Sequence, residues 1–184
     1  MLDLVGDSGW SETTVPQVVA AARVSKNAFY ELFEDKVDCY LAAVDEEVGE
    51  LLAALRTPPA ADWRATLEHG MAVYLRWWQD RPRSARAYLV ELPEAGARAV
   101  EQRERAYRAL ERVFARLAQQ IREERPGLEP VAAVALRALV HAITEDVARE
   151  VREGRVDRLD ERAADLRWLV VRLLADDAAV EEIA

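Results

Sequence analysis

Apolar residues recur at three- and four-residue spacing along almost the whole chain, and runs of β-branched residues with period-two alternation are missing. That pattern predicts an all-α protein. Breakers at Gly6 and Gly9, Pro58-Pro59, Pro82, Pro93, Gly96, Pro126-Gly127, Pro130 and Gly154 divide it into short helices up to about residue 33 and longer ones afterwards. The densest start and stop signals lie in the first 55 residues. A short helix over residues 1–8 precedes Gly9. Thr14-Val15-Pro16-Gln17 reads as a helix start, with threonine as cap, proline in the first turn and glutamine at the capping-box position. This helix runs to about residue 22. Arg23-Val24 forms a tight turn, and Ser25 caps a second short helix over 26–33. A third opens at Asp35-Lys36, and its Val37, Leu41, Val44, Val48, Leu51 and Leu55 share one face. Two short helices about three residues apart, followed by a long one, have the layout of a helix-turn-helix with a connecting helix.

Further helices are predicted at about 60–80, 83–91, 94–125, 129–153 and 158–175. In the long third of these, Val100, Tyr107, Leu110, Phe114, Leu117 and Ile121 make one apolar stripe. Its opposite face carries Arg105, Arg108, Arg112 and Arg116. The last two helices are apolar on more than one side. Val131, Ala135, Ala138 and Ala142 lie on one face, Leu139, Val140, Ile143 and Val147 nearer another, and 166–174 is almost continuously apolar. Such helices need more than one neighbour. A second copy of the chain supplies it, which predicts a homodimer through about 129–153 and 158–175 as a two-fold four-helix interface.

Composition changes this picture in two ways. Hydrophobic residues make up 51% of the 184, enough for a substantial core, while no apolar run reaches the roughly 20 residues a bilayer span needs. No signal-peptide pattern is present, and a lone Cys39 fits a reducing cytoplasm. The net charge of −9 argues against nucleic acid, whose binding rests on neutralising phosphates. Residues 1–44 hold seven acids against three bases, yet the chain's two lysines, Lys26 and Lys36, both fall there.

The segment Gly9-Trp10-Ser11-Glu12-Thr13-Thr14-Val15, continued by Val24-Ser25-Lys26-Asn27-Ala28-Phe29-Tyr30-Glu31-Leu32-Phe33-Glu34-Asp35-Lys36, resembles the DNA-binding domain of the TetR family in spacing as well as residue type. The resemblance covers roughly residues 4–50. It implies a helix-turn-helix DNA-binding domain over 1–47 and an effector-binding and dimerisation domain over 48–184. It also implies a ligand-responsive regulator, most simply a repressor, released from a double-stranded operator by a small molecule. The helix over 26–33 would enter the major groove. Lys26 and Asn27 would reach base edges or phosphates, Tyr30 a phosphate, and Lys36 with the amides beginning the next helix a phosphate clamp. Thr14 and Gln17 would meet the other side of the groove, while Val18, Val24, Phe29 and Phe33 form the core between the helices. Arg23 stands where the family has glycine, Glu31 and Leu32 replace an aromatic and a histidine, and the first helix is short by about two turns. Glu91-Leu92-Pro93-Glu94-Ala95-Gly96 resembles effector domains of actinobacterial members.

The second half holds many large, polar-tipped residues. Met71, Tyr74, Trp78, Tyr107, Phe114 and His141 are the candidate walls of a ligand cavity for an apolar or aromatic molecule. Catalysis finds no support, since phosphate loops, nucleophile elbows and Cys or His clusters are missing. His141 and Glu145, four apart, lack a third metal ligand. Neither cofactor nor metal is expected. The acidic pairs Asp176-Asp177 and Glu181-Glu182 read as solvated tail. The alternative reading is a helical ligand-binding or interaction protein on the same scaffold whose acidic, shortened head has weak or lost DNA binding.

Overall fold

A computed structural model describes residues 1–56 and 62–175, so Pro58-Pro59 and the acidic pairs at 176–177 and 181–182 lie outside the described residues. All regular structure among the described residues is helical: α1 (Leu2–Ser8), α2 (Val15–Ala22), α3 (Lys26–Leu32), α4 (Lys36–Ala54), α5 (Trp63–Gln79), α6 (Pro82–Arg86), α7 (Ala97–Glu124), α8 (Ala133–Arg152) and α9 (Ala163–Leu174). Side chains set the starts. The Gln17 amide oxygen accepts from the Thr14 backbone N–H at 2.7 Å to open α2. Ser25 Oγ accepts from Ala28 N at 3.0 Å to open α3, Asp35 from Asp38 N at 2.7 Å to open α4, and Asp62 from Ala65 N at 2.8 Å to open α5. Each satisfies an amide that the helix itself leaves unpaired.

Two predicted helices are built differently. Residues 83–91 do not form one α-helix. After α6 the backbone widens into a π-turn at Ala87–Glu91 and tightens into a 3₁₀ turn at Leu92–Ala95, ended by Gly96 at φ 91°. A π-turn inserts one residue into the helical ladder, which re-aims the side chains that follow. The last helix likewise opens as a 3₁₀ stretch, Val156–Arg162, before α9. The helix expected from about residue 129 begins at Ala133 instead, since Pro130 disfavours helical backbone at the residue before it.

The main apolar core is continuous from Val5 of α1 and Tyr40, Val44 and Leu51 of α4 through Trp63, Trp78, Leu92 and Leu139 to Val170 of α9. A separate small cluster of Val18, Phe29 and Cys39, flanked by Phe33, holds α2 and α3 against α4. The amino-terminal helices therefore have little core of their own, and α1 and α4 are built into the body. Val24 departs from expectation. It is 47% exposed, because the turn carries it outward rather than between the helices. Val100, placed on the buried stripe of α7, is 39% exposed near that helix's start. Within the described residues no helix is long and apolar enough to cross a membrane.

Candidate functional site

The α2–turn–α3 unit presents Thr14, Gln17, Lys26, Asn27 and Tyr30 on its exposed surface, with Phe29 turned inward and only 3% exposed. Neighbouring positions on an α-helix are turned about 100° from each other, so with Phe29 facing the core Tyr30 stands toward solvent and is 51% exposed. Lys26 Nζ lies 5.8 Å from the centre of the Tyr30 ring, bringing a cation and a phenol hydroxyl together on the same face. Thr14 and Gln17 are tied to each other, with the Thr14 hydroxyl donating to Gln17 Oε1 at 2.7 Å, so both sit in fixed positions at the start of α2. The turn contains Arg23 in the left-handed region, at φ 57° and ψ 40°, closing α2 with its N–H on the Ala20 and Val19 carbonyls.

Lys36 is placed apart from these five. It is partly buried, its Nζ donates to Trp10 O at 2.9 Å and Thr13 O at 2.8 Å, and it stands 3.7 Å from the centre of the Trp10 ring. Burial pulls its pKa below the ordinary lysine value. Two of its three N–H groups thus fasten the Gly9-Trp10 turn to α4. The Trp10 ring stacks on Tyr40 at 5.0 Å, and the Thr13 hydroxyl closes the same turn on Gly9 O at 2.8 Å.

Several contacts that the sequence pattern did not reveal join this head to the body. Glu91, carried by the π-turn, accepts from the Trp10 N–H at 3.0 Å and from Arg86 at 2.9 Å. The Tyr40 hydroxyl donates to Ala87 O at 2.5 Å; burial, then the Glu91 charge, keep this phenol protonated far above its ordinary pKa. At the start of α7, Arg98 pairs with Asp35 at 3.1 Å and Asp38 at 3.3 Å, and the Gln102 amide donates to Leu41 O at 2.7 Å. On α6, Arg83 pairs with Asp7 of α1 at 2.7 Å.

In the body, a cavity of about 630 Å³ lies among the end of α4 and helices α5, α7 and α8. Met71, Tyr74 and Phe114 line it together, as do Leu55, Leu67, Gly70, Leu110, Leu117, Val140, Ile143 and Thr144. Trp78, Tyr107 and His141 are not in its lining. Trp78 is wholly buried and stacked on Tyr88 at 5.4 Å, while Tyr107 meets exposed His141 edge-on at 4.8 Å. Tyr74 is pushed up to about 12 by burial, against a downward pull from the neighbouring Thr144 and Trp78. The Thr144 hydroxyl and the Trp78 ring N–H are buried, and neither makes a hydrogen bond of good geometry. Thr144 did carry a sequence signal, as a hydroxyl within the buried stripe Val140, Ile143, Val147 of α8.

Residues 2–43 match the family described as bacterial regulatory proteins, tetR family. No curated protein sequence matches the chain at a significant level. The fold is similar to the fatty acid degradation regulator FadR from Bacillus halodurans, with TM-score 0.80 and 15% identity over 92% of this chain and 93% of that one. It is also similar to a bacterial regulatory protein in the tetR family from Rhodococcus RHA1, with TM-score 0.72 and 20% identity over 96% of this chain and 93% of that one.

Proposed function

We propose that the chain is a TetR-family transcriptional regulator and a ligand-responsive one, a repressor that a small molecule releases from its operator in the cytoplasm. The observation that carries this reading is α4. Its first residue, Lys36, fastens the turn that leads into α2, and just past its end Leu55 lines the cavity. Its 19 residues span about 28 Å. A ligand that presses on Leu55 tilts this lever and displaces α3 at the other end. Two copies pair through α8 and α9, where Val134, Trp168 and Leu173 are 68%, 50% and 38% exposed in one chain. Paired recognition helices must be held about 34 Å apart to occupy successive turns of the groove, so a change in tilt releases DNA. Lys26, Asn27, Tyr30, Thr14 and Gln17 touch the operator, joined by the α4 amino terminus with Lys36. Met71, Tyr74 and Phe114 touch the ligand.

One pair of observations favours the second reading, a scaffold that has lost useful DNA affinity: the head holds seven acids against three bases, and Lys36 is turned inward. A gel shift on the intergenic DNA upstream of the gene, at two salt concentrations, separates the two. Specific binding that falls steeply with salt, and that weakens about tenfold in Tyr30→Ala with dimerisation intact, is the expected result. No shift at low micromolar protein leaves the second reading standing.

A further inference from the structure

The π-turn Ala87–Glu91 is bonded to the amino-terminal head at both of its ends. At its first residue, Ala87 O accepts from the Tyr40 hydroxyl of α4 at 2.5 Å. At its last, one Glu91 carboxylate oxygen accepts from the Trp10 N–H at 3.0 Å, and Arg86 donates to the other at 2.9 Å. The Glu91 side chain is largely buried and lies close against Gly9, where an added Cβ would stand 3.4 Å from its Oε2. The Trp10 ring stacks on Tyr40 at 5.0 Å, so both bonds converge on the one turn that leads into α2.

Between these ends the π-turn faces the body. Tyr88 stacks on Trp78 at 5.4 Å, Trp78 meets Tyr74 edge-on at 6.4 Å, and Tyr74 lines the cavity. Trp78 is wholly buried and Tyr88 nearly so. Rings packed at interior density have little slack, so a displacement of Tyr74 passes to Trp78 and on to Tyr88. A π-turn is where such a push takes effect. It holds one residue in excess of the α-helical ladder, and moving that excess along the chain turns each side chain it passes by about 100°. Glu91 turned through that angle no longer reaches Trp10.

We propose that Glu91 is the positioning residue of the DNA-reading unit, and that a ligand against Tyr74 withdraws it from Trp10 by way of Trp78, Tyr88 and the π-turn. This rests on the cavity being the effector site and names a route from it to the head that is separate from the tilt of α4.

Two measurements on the full-length protein test it: amide exchange at Trp10 by NMR without DNA, and operator affinity by gel shift. Glu91→Ala is expected to speed Trp10 exchange and weaken operator binding, each about tenfold, while Val147 of α8 keeps its protection. Glu91→Gln, which keeps an acceptor oxygen, restores both to within about threefold of wild type. Gly70 lines the cavity one turn before Tyr74, and a Cβ there meets nothing within 4 Å, so Gly70→Phe stands in for a ligand. It is expected to reproduce the Glu91→Ala effects and to add nothing further in the double variant. Wild-type exchange and affinity in Glu91→Ala overturn the proposal. A Gly70→Phe effect on operator affinity that is equal in both backgrounds overturns the route and leaves release through α4 standing. Should Gly70→Phe fail to fold, Gly70→Leu takes its place. Should no operator be bound at all, the reading as a repressor falls, and Trp10 exchange in Gly70→Phe still decides the coupling: exchange equal to wild type overturns it.

Discussion

At Arg23 the backbone adopts a left-handed conformation with a side chain attached. Crowding between Cβ and the following carbonyl makes this unfavourable by about 1 kcal/mol compared with glycine. Part of that gain is returned because glycine also has more freedom in the unfolded chain. Arg23→Gly is therefore expected to raise the melting temperature by about 2 °C in a thermal scan. The arginine is exposed in the turn between α2 and α3, beside the surface assigned to DNA. In the same variant, operator affinity should fall a few-fold at low salt. A lower melting temperature would mean that the guanidinium stabilises the turn more than its backbone strains it. Lys36 makes a related point about single residues. Its identity and position match the family pattern, yet two of its three donors are spent on carbonyls 26 and 23 residues away.

At the scale of elements, local chemistry explains which helices could be foreseen. The starts of α2, α3 and α4 depend on Thr14, Ser25 and Asp35, each acting within three residues, so the sequence displays them openly. The π-turn at Ala87–Glu91 has no such marker, because it is fixed by Glu91 meeting Trp10 across 81 residues. The cavity was half legible for a similar reason. Met71, Tyr74 and Phe114 are large residues on apolar faces, and they do line it. Trp78 lies one turn beyond Tyr74 on the same face of α5, but Tyr88 covers it. Emptiness is a property of several helices together, and a one-dimensional pattern does not encode it. Between elements, Arg98 neutralises two carboxylates at the end of α4 that faces DNA in the proposed complex. These are solvent-exposed pairs, worth less than about 1 kcal/mol to the fold. Arg98→Ala should leave the melting temperature within about 2 °C of wild type. The two acids, left unopposed near phosphate, should weaken operator binding several-fold in fluorescence anisotropy at low salt, with the gap closing as salt screens it.

For the whole molecule, the outer face of α8 and α9 decides in the proposed dimer whether there is one recognition helix or two. Trp168 is half exposed in a single chain, and Ala142, Asp146 and Leu169 beside it line a shallow hollow suited to a side chain from a twin. Trp168→Glu places like charges across a two-fold axis, while the core residues Val170 and Val171 remain buried. Sedimentation should show a monomer of unchanged helicity by circular dichroism, with operator affinity reduced by about a hundredfold or more through loss of the second half-site. A dimer that persists would move the interface elsewhere on the surface.

The packing of Gly6 sets how such a dimer can move. A methyl group built there would stand 2.3 Å from the Arg83 carbonyl oxygen, so the backbones of α1 and α6 touch with no side chain between them. Contact this close leaves no room for the two helices to approach further. In the proposed regulator this contact is a natural pivot for the DNA-reading unit, as an axle is for a wheel, and a turn about it would carry α3 through an arc.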